Sequence, residues 1–427
     1  MGRPTPFFAA VFRRRNWLRL AALLGGVSLA GCVTAPPKPP TLPTRPALEL
    51  TATRFAEMQG WAAGDPSKAL EAFRHSCTAI QQRPADASLG GVGYAGSAGE
   101  WNAPCNLAAA LPAATPEIGR AFFEAAFVPY RIAQGNPEGL FTGYYEPELR
   151  GSRTRHGPYQ TPLYGVPPDL VAIDRGALRD TQRAETMSGM MMMMARMMMR
   201  FVPYPARAEI VRNGLPVPPL FYVDDPVDAF FLQIQGSGRV VLDDGAVVRA
   251  AYAGQNGQPY TAIGAILIAR GELTREEVSL QSIRAWLLAH PEQAAELMDI
   301  NASYVFFSEQ PIGDPALGAN GAQGVPLTSA ASLAVDRGVH ALGVPVWLEA
   351  TAPDADPAKP DRAFDALLVM QDTGGAIRGV VRGDVYWGRG EAAASVAGRM
   401  KHQGRLTVLL PGAVAARLGA RAELPAP

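Results

Sequence analysis

The stretch 371-QDTGGAIRGVVRGDVYWG-388 carries two aspartates on one glycine-rich segment. An apolar run, Leu367 to Met370, leads in as a β-strand and delivers Asp372 onto a Gly-Gly turn, and Asp384 follows a further glycine, Gly383. Glycine lets a backbone bend tightly and leaves neighbouring carboxylates unobstructed beside a ligand. A single Asp-Thr-Gly-Gly more often caps a turn, its carboxylate accepting backbone N–H groups. Two aspartates on one such loop also suit a sugar-cleaving site, where a carboxylic acid protonates the leaving oxygen and a second carboxylate commonly assists.

Outward from this segment the texture is β-rich from Gly139 onward. Short runs such as 219-PLFYV, 239-RVVL, 246-AVVRAAYAG, 344-VPVWLEA, 364-FDALLVMQD and 405-RLTVLLP alternate with Gly, Pro and Asp turns. That is the punctuation of β-barrels. Tyr304 and Phe306 alternate as one face of a strand, with Phe307 on the other. Helical spacing appears before and between these runs. Phe55, Met58 and Trp61 recur at three-residue steps, and Leu70, Phe73, Cys77 and Ile80 at three and four. Thr115 reads as the N-cap of a helix opening at Pro116 that buries Ile118, Phe122 and Ala125. Ser282 to Asp299 reads as helix broken at His290-Pro291, and the Ala- and Arg-rich residues 412–427 read as a flexible tail. Within 187-MSGMMMMMARMMMR-200 the methionines suit either a soft docking surface or an expanded loop or strand edge.

The chain has 427 residues, enough for two or three domains with packed cores. Lys+Arg 39 against Asp+Glu 39 gives no basic surplus, which excludes nucleic acid as the expected partner. His75, His156, His290, His340 and His402 are scattered outside any metal-ligand spacing, so neither a metal nor a cofactor is expected.

Arg13, Arg14, Arg15 and Arg19 precede a short apolar run, Leu20 to Leu29, too short to span a bilayer. The run ends Leu29-Ala30-Gly31-Cys32, which resembles the bacterial lipoprotein box, in which Cys32 is lipidated and becomes the first mature residue. Val33 rather than Asp after it resembles the outer-membrane sorting pattern, so the expected location is the periplasm, on the outer membrane. Residues 32–46 then form the lipidated Cys and a Pro-rich tether reaching roughly 40 Å. In an oxidising compartment the two remaining cysteines, Cys77 and Cys105, most simply form one disulfide.

The 371–388 segment resembles the C-terminal signature of the membrane-bound lytic murein transglycosylase A family. Further blocks are similar to that family in the same order: 141-FTGYYEPEL, 233-QIQGSGRV with 251-AYAGQNGQPYTAIG, 301-NASYVFF and 396-VAGRMKHQGRLTVLLP. The resemblance runs from about residue 120 to 411, and the methionine run departs from it between motifs. It implies a mainly β chain with N-terminal and flanking helices. A double-psi β-barrel domain built from 47–146 and 274–411 would face a smaller inserted β-barrel, 147–273, across a cleft; residues 1–31 would be the signal peptide. It implies cleavage of the MurNAc–GlcNAc β-1,4 bond of peptidoglycan without water and without a cofactor, leaving 1,6-anhydro ends.

Carried over by position, Asp384 is the acid/base and Asp372 its supporting neighbour, which would raise the pKa of Asp384. Arg378, Arg382 and Arg389 are expected to face solvent or substrate carboxylates, because a guanidinium on Asp384 would oppose that rise. Thr142, Tyr144, Tyr145 and Glu146, with the turn Gln235, Gly236 and Ser237, are candidates to line the glycan groove; the competing reading is strand core and hairpin turn. Glu146 is also the second candidate acid. Two rival functions stay open: a non-catalytic wall-binding lipoprotein and a hydrolytic muramidase. Cell-wall synthesis complexes are possible partners.

Overall fold

The computed structural model describes residues 48–174, 186–193 and 199–422. Cys32, the signal segment and the tether therefore lie outside the described residues, as do 194–198 of the methionine run.

Helix Ser67–Gln81 buries Leu70, Phe73, Cys77 and Ile80, the stripe that its three- and four-residue spacing predicts. A disulfide joins Cys77 to Cys105 on helix Asn102–Ala110. Helix Pro116–Ala126 starts where expected: Thr115 Oγ1 accepts from the Ile118 amide at 3.2 Å. Its buried face is Phe122 and Phe123 rather than Ala125, and both rings pack with Phe73 and Phe127. Phe55, Met58 and Trp61 do not share an α-helix. Phe55 and Trp61 open two short 3₁₀ turns, Phe55–Glu57 and Trp61–Ala63, with Met58 extended after the first and Gly60 at φ 74° before the second. A Cβ there would stand 2.5 Å from Asp365 Oδ2, so the chain turns where a side chain cannot fit.

The first barrel closes through six strands. In order around it come Lys401–Pro411, Pro345–Ala352, Arg362–Asp372, Ser332–Val335, Gly383–Arg389 and Glu138–Glu146, and the last pairs back with the first. Two of the pairings are parallel, Ser332–Val335 with Arg362–Asp372 and Gly383–Arg389 with Glu138–Glu146. This closed six-stranded barrel, drawn from both sides of an insertion, matches the double-psi expectation. Leu367 to Met370 and Leu406 to Leu410 are fully enclosed, which is why these strands are apolar at consecutive positions instead of alternate ones.

The second barrel has strands Val305–Pro311, Val247–Gln255, Gly238–Leu242, Glu148–Ser152, Pro219–Val223 and Thr161–Tyr164, and a bridge between Gly165 and Phe307 joins its edges. Its strand Val305–Pro311 lies beyond the expected boundary at 273. The insertion thus returns after three helices, Ile263–Ala269, Leu280–Ala289 and Pro291–Asp299, to complete its own sheet. Those helices pack with Pro226–Gln235 around Phe230, Phe231, Trp286 and Leu297. Leu170–Asp174, Thr186–Met193 and Met199–Pro203 form a separate antiparallel sheet, so much of the methionine run is strand.

Residues 412–422 are not a flexible tail. Gly412–Ala422 is a helix that buries Val414, and its Arg417 pairs with Glu100. The apolar i and i+4 positions, Val414 and Leu418, pack on the core and hold it.

His340 is buried beside this core. Its Nε2 lies 2.8 Å from the Val380 carbonyl, which can only accept, so Nε2 carries the proton and Nδ1 accepts from Tyr94 Oη at 2.9 Å. Burial pushes its pKa down to about 4. Between that value and the ordinary 6.5 the unfolded chain binds the extra proton, so this group's contribution to stability falls as pH drops from 6.5 towards 4. The linked loss is on the order of 3 kcal/mol. Urea unfolding across that range is expected to record it, and His340→Asn is expected to flatten the slope.

Candidate active site

Register brings the site together. In the first barrel Asp372 pairs with Ala334, Ala334 with Asp384, and Asp384 with Thr142, so these four residues form one row across four adjacent strands. Each step between neighbouring strands is about 4.8 Å, which separates the two aspartate backbones by roughly 10 Å. The residue between them is a small alanine. Gly383 also has a reason beyond the turn: a Cβ there would meet Leu333 Cδ1 at 2.8 Å, within the packing that sets this row.

The two carboxylates are held differently. Asp372 accepts from Tyr144 Oη and from the Ala322 amide, each at 2.9 Å. Burial nonetheless dominates and raises its pKa, with the nearby charge of Asp384 acting in the same direction. Tyr144 is pushed well above the ordinary tyrosine range, first by burial and then by the charge of Asp372. Asp384 accepts from Thr142 Oγ1 and is in direct ion-paired contact with Arg382 Nη1. Arg382 also donates to Thr142 Oγ1 at 2.9 Å and to the Gly383 carbonyl at 2.6 Å.

That contact corrects the expectation that Arg382 faces solvent or substrate. The guanidinium occupies Asp384 Oδ1, so a ligand reaches that oxygen only when the pair opens. Sequence placed Arg382 two residues from Asp384 but carried no sign that its side chain folds back along the strand. Arg378 donates to the Ile377 carbonyl at 2.8 Å, and Arg389 is exposed.

Glu146 does not line a groove. It is 2% exposed, with Oε2 accepting from Arg239 Nε at 3.0 Å and Oε1 from Arg249 Nε at 2.6 Å. Both arginines reach in from the second barrel, so a residue at the end of a first-barrel strand joins the two barrels. Both oxygens of this interior carboxylate are taken up by guanidiniums and closed off from a ligand, which removes it as a second acid. Gln235 and Gly236 are not a hairpin turn either. Helix Pro226–Gln235 ends there, with Gly236 at φ 87°, and Gln235 Oε1 accepts from the Tyr145 amide at 3.0 Å. Ser237 Oγ accepts from the Tyr252 amide at 3.0 Å. Asp225 as N-cap with Pro226 in the first turn, and Gly236 after the last, are its start and stop signals.

Sequence reasoning passed over three aromatics at the site. Tyr386, two residues beyond Asp384, packs on Tyr144 with ring centroids 5.2 Å apart. Tyr252 and Tyr260, from the second barrel, are 50% and 41% exposed. Desolvation of their hydroxyls raises both, followed by the charge of Asp372 at Tyr252 and of Asp384 at Tyr260. The two hydroxyls therefore lie within electrostatic reach of the carboxylates, and both rings are open for contact with a ligand. Their signal was the block 251-AYAGQNGQPYTAIG, where tyrosines stand among glycines. Among the described residues no cluster of His, Cys, Asp or Glu suits a metal ion, and no helix is long and apolar enough to cross a membrane.

Comparison with known proteins places both barrels. Residues 140–308 match the MltA specific insert domain and residues 331–410 the 3D domain. The membrane-bound lytic murein transglycosylase A of Escherichia coli K12 is 35% identical over 278 residues, 64% of this chain and 66% of that protein, just under two thirds of its length. A membrane-bound lytic murein transglycosylase from Agrobacterium tumefaciens superposes with a TM-score of 0.75 at 32% identity, covering 86% of this chain and 99% of that one. Escherichia coli MltA with bound chitohexaose superposes at 0.58 and 29% identity, over 80% and 90% of the two chains.

Removing the buried carboxylate should be costly. Glu146→Gln leaves Arg239 and Arg249 buried without a countercharge and is expected to lower the unfolding free energy by about 3–5 kcal/mol. Urea titration measures this, and adding Arg249→Met to the same chain is expected to recover part of the loss.

Proposed function

We propose, because the chain belongs to the membrane-bound lytic murein transglycosylase A family, that it cleaves the MurNAc–GlcNAc β-1,4 bond of peptidoglycan and leaves 1,6-anhydro-MurNAc ends. The observation that carries this reading is the row Asp372–Ala334–Asp384–Thr142, with the exposed Tyr252 and Tyr260 of the second barrel within electrostatic reach of its carboxylates. Paired carboxyl groups with open aromatic rings near them suit a neutral polysaccharide, and an Escherichia coli relative holds chitohexaose.

In this mechanism glycan entry displaces Arg382, Asp384 takes up a proton from solvent as the pair opens, and it then acts first as acid. Its proton goes to the bridging oxygen, the bond from C1 to that oxygen breaks, and the GlcNAc hydroxyl leaves. Positive charge develops at C1, where the neighbouring N-acetyl group shields it. Asp384, now a carboxylate, takes the proton from the sugar's own C6 hydroxyl as that oxygen bonds C1. The proton is recovered and no water is consumed. One carboxyl suffices because the nucleophile is intramolecular and at high effective molarity. Thr142 orients Asp384, while Asp372, held by the Tyr144 hydroxyl, supports the same row.

A second reading has its own observation. Burial raises the pKa of Asp372, and Asp384 is ion-paired, so Asp372 is the alternative proton donor. The lipid-bearing Cys32, the tether and a periplasmic, outer-membrane location complete the proposal: a membrane-held enzyme whose body reaches the wall, where cell-wall synthesis complexes are available partners.

Digestion of purified murein sacculi followed by mass spectrometry tests it. Products 18 Da lighter than those of a muramidase are expected, since each anhydro end lacks one water. Reducing ends would make the chain a hydrolase, and no soluble product would make it a binding protein. Asp384→Asn is expected to lower kcat by about 10²–10⁴-fold, and Asp372→Asn by about tenfold. The reverse order would transfer the acid role to Asp372.

A further inference from the structure

The 312–318 loop, which leads from the second barrel back to the first, borders a recess of ≈ 310 Å³ whose lining includes Arg239, Leu317, Tyr386 and Arg389. Three guanidiniums converge on this loop. Arg239 Nη2 donates to the Pro315 carbonyl at 3.0 Å, Arg249 Nη2 to that of Leu317 at 2.9 Å, and Arg389 Nε to that of Pro315 at 3.3 Å. Glu146 is shared between Arg239 and Arg249, and the loop itself carries Asp314, whose Oδ1 accepts from the Ala316 amide. Three positive charges against two negative leave a surplus of one. Arg389 has no acidic partner, and its two terminal nitrogens bond nothing else among the described residues.

The recess continues the site. Asp384 and Tyr386 point to the same face of one strand, Tyr386 packs on Tyr144, and the Tyr144 hydroxyl meets Asp372. Arg389 stands five residues beyond Asp384, about 16 Å along the strand, and its side chain returns towards the recess. A glycan strand carrying peptides is itself neutral at this distance. Its negative charges are the free carboxylates of the peptide stems, and three extended residues of a stem span about 10 Å.

Resting on the proposed function, we infer that this recess receives a peptide-stem carboxylate, gripped by Arg389 with Arg239 and Arg249 behind it. The site would then read the peptide as well as the sugar, with guanidinium and carboxylate matched in shape and charge.

Isothermal titration of the full-length chain tests this with three probes: muramyl tetrapeptide, N-acetylmuramic acid and chitohexaose. Arg389→Ala is expected to weaken muramyl tetrapeptide about tenfold and leave the other two unchanged, and Arg389→Lys to keep part of the affinity. Unchanged tetrapeptide binding overturns the inference, as does an equal loss for all three probes. An equal loss for N-acetylmuramic acid assigns the recess to the lactyl carboxylate and also overturns it. Sacculus digestion reads the catalytic proposal separately: a chain that releases no muropeptides yet binds the tetrapeptide through Arg389 loses the enzymatic reading and keeps this one.

Discussion

The parallel pairing of Glu138–Glu146 with Gly383–Arg389 is the interaction on which the rest depends. It closes the first barrel, sets Thr142 against Asp384, and leaves Glu146 at the strand's end where the second barrel's arginines reach it. A slip of one residue would turn Thr142 and Asp384 to opposite faces, because side chains alternate along a strand. Shape, charge and the junction between barrels are thus set by one register.

The electrostatics at the two ends of that strand pair differ in kind. At one end Arg382 lies on a half-buried carboxylate that water and ligands can reach, a contact that can exchange. At the other, Glu146 and its arginines are enclosed, where breaking a pair strands a charge. The enclosed cluster fixes how the barrels meet, while the accessible pair leaves the Asp384 carboxylate adjustable.

Much of this was legible in the sequence. Strand runs such as 364-FDALLVMQD and 405-RLTVLLP are apolar and long enough to read directly, and the Thr115-Pro116 cap marks its helix. The resemblance supplied what spacing cannot, namely that segments more than two hundred residues apart share a barrel. Side-chain direction stayed out of reach. Nothing in the order Arg382-Gly383-Asp384 says that the guanidinium turns back on the carboxylate, and nothing in Tyr-Glu-Pro says that Glu146 is enclosed by residues 239 and 249. The tail misled because alanine and arginine look solvated until Val414 and Leu418 are seen on one helical face. The boundary at 273 misled because the insertion resumes after a helical excursion, and a composition shift marks the excursion rather than its return.

The distance in sequence between Thr142 and Asp384, 242 residues, has a kinetic consequence. Contacts between remote segments cost loop entropy before they return any energy, so they form late. The helices near the N-terminus, tied by Cys77–Cys105 over 28 residues, can assemble early and locally. The paired aspartates cannot face their threonine until the whole insertion has condensed between them. A partly synthesised or partly threaded chain therefore lacks the assembled row, which exists only once the last strand has docked.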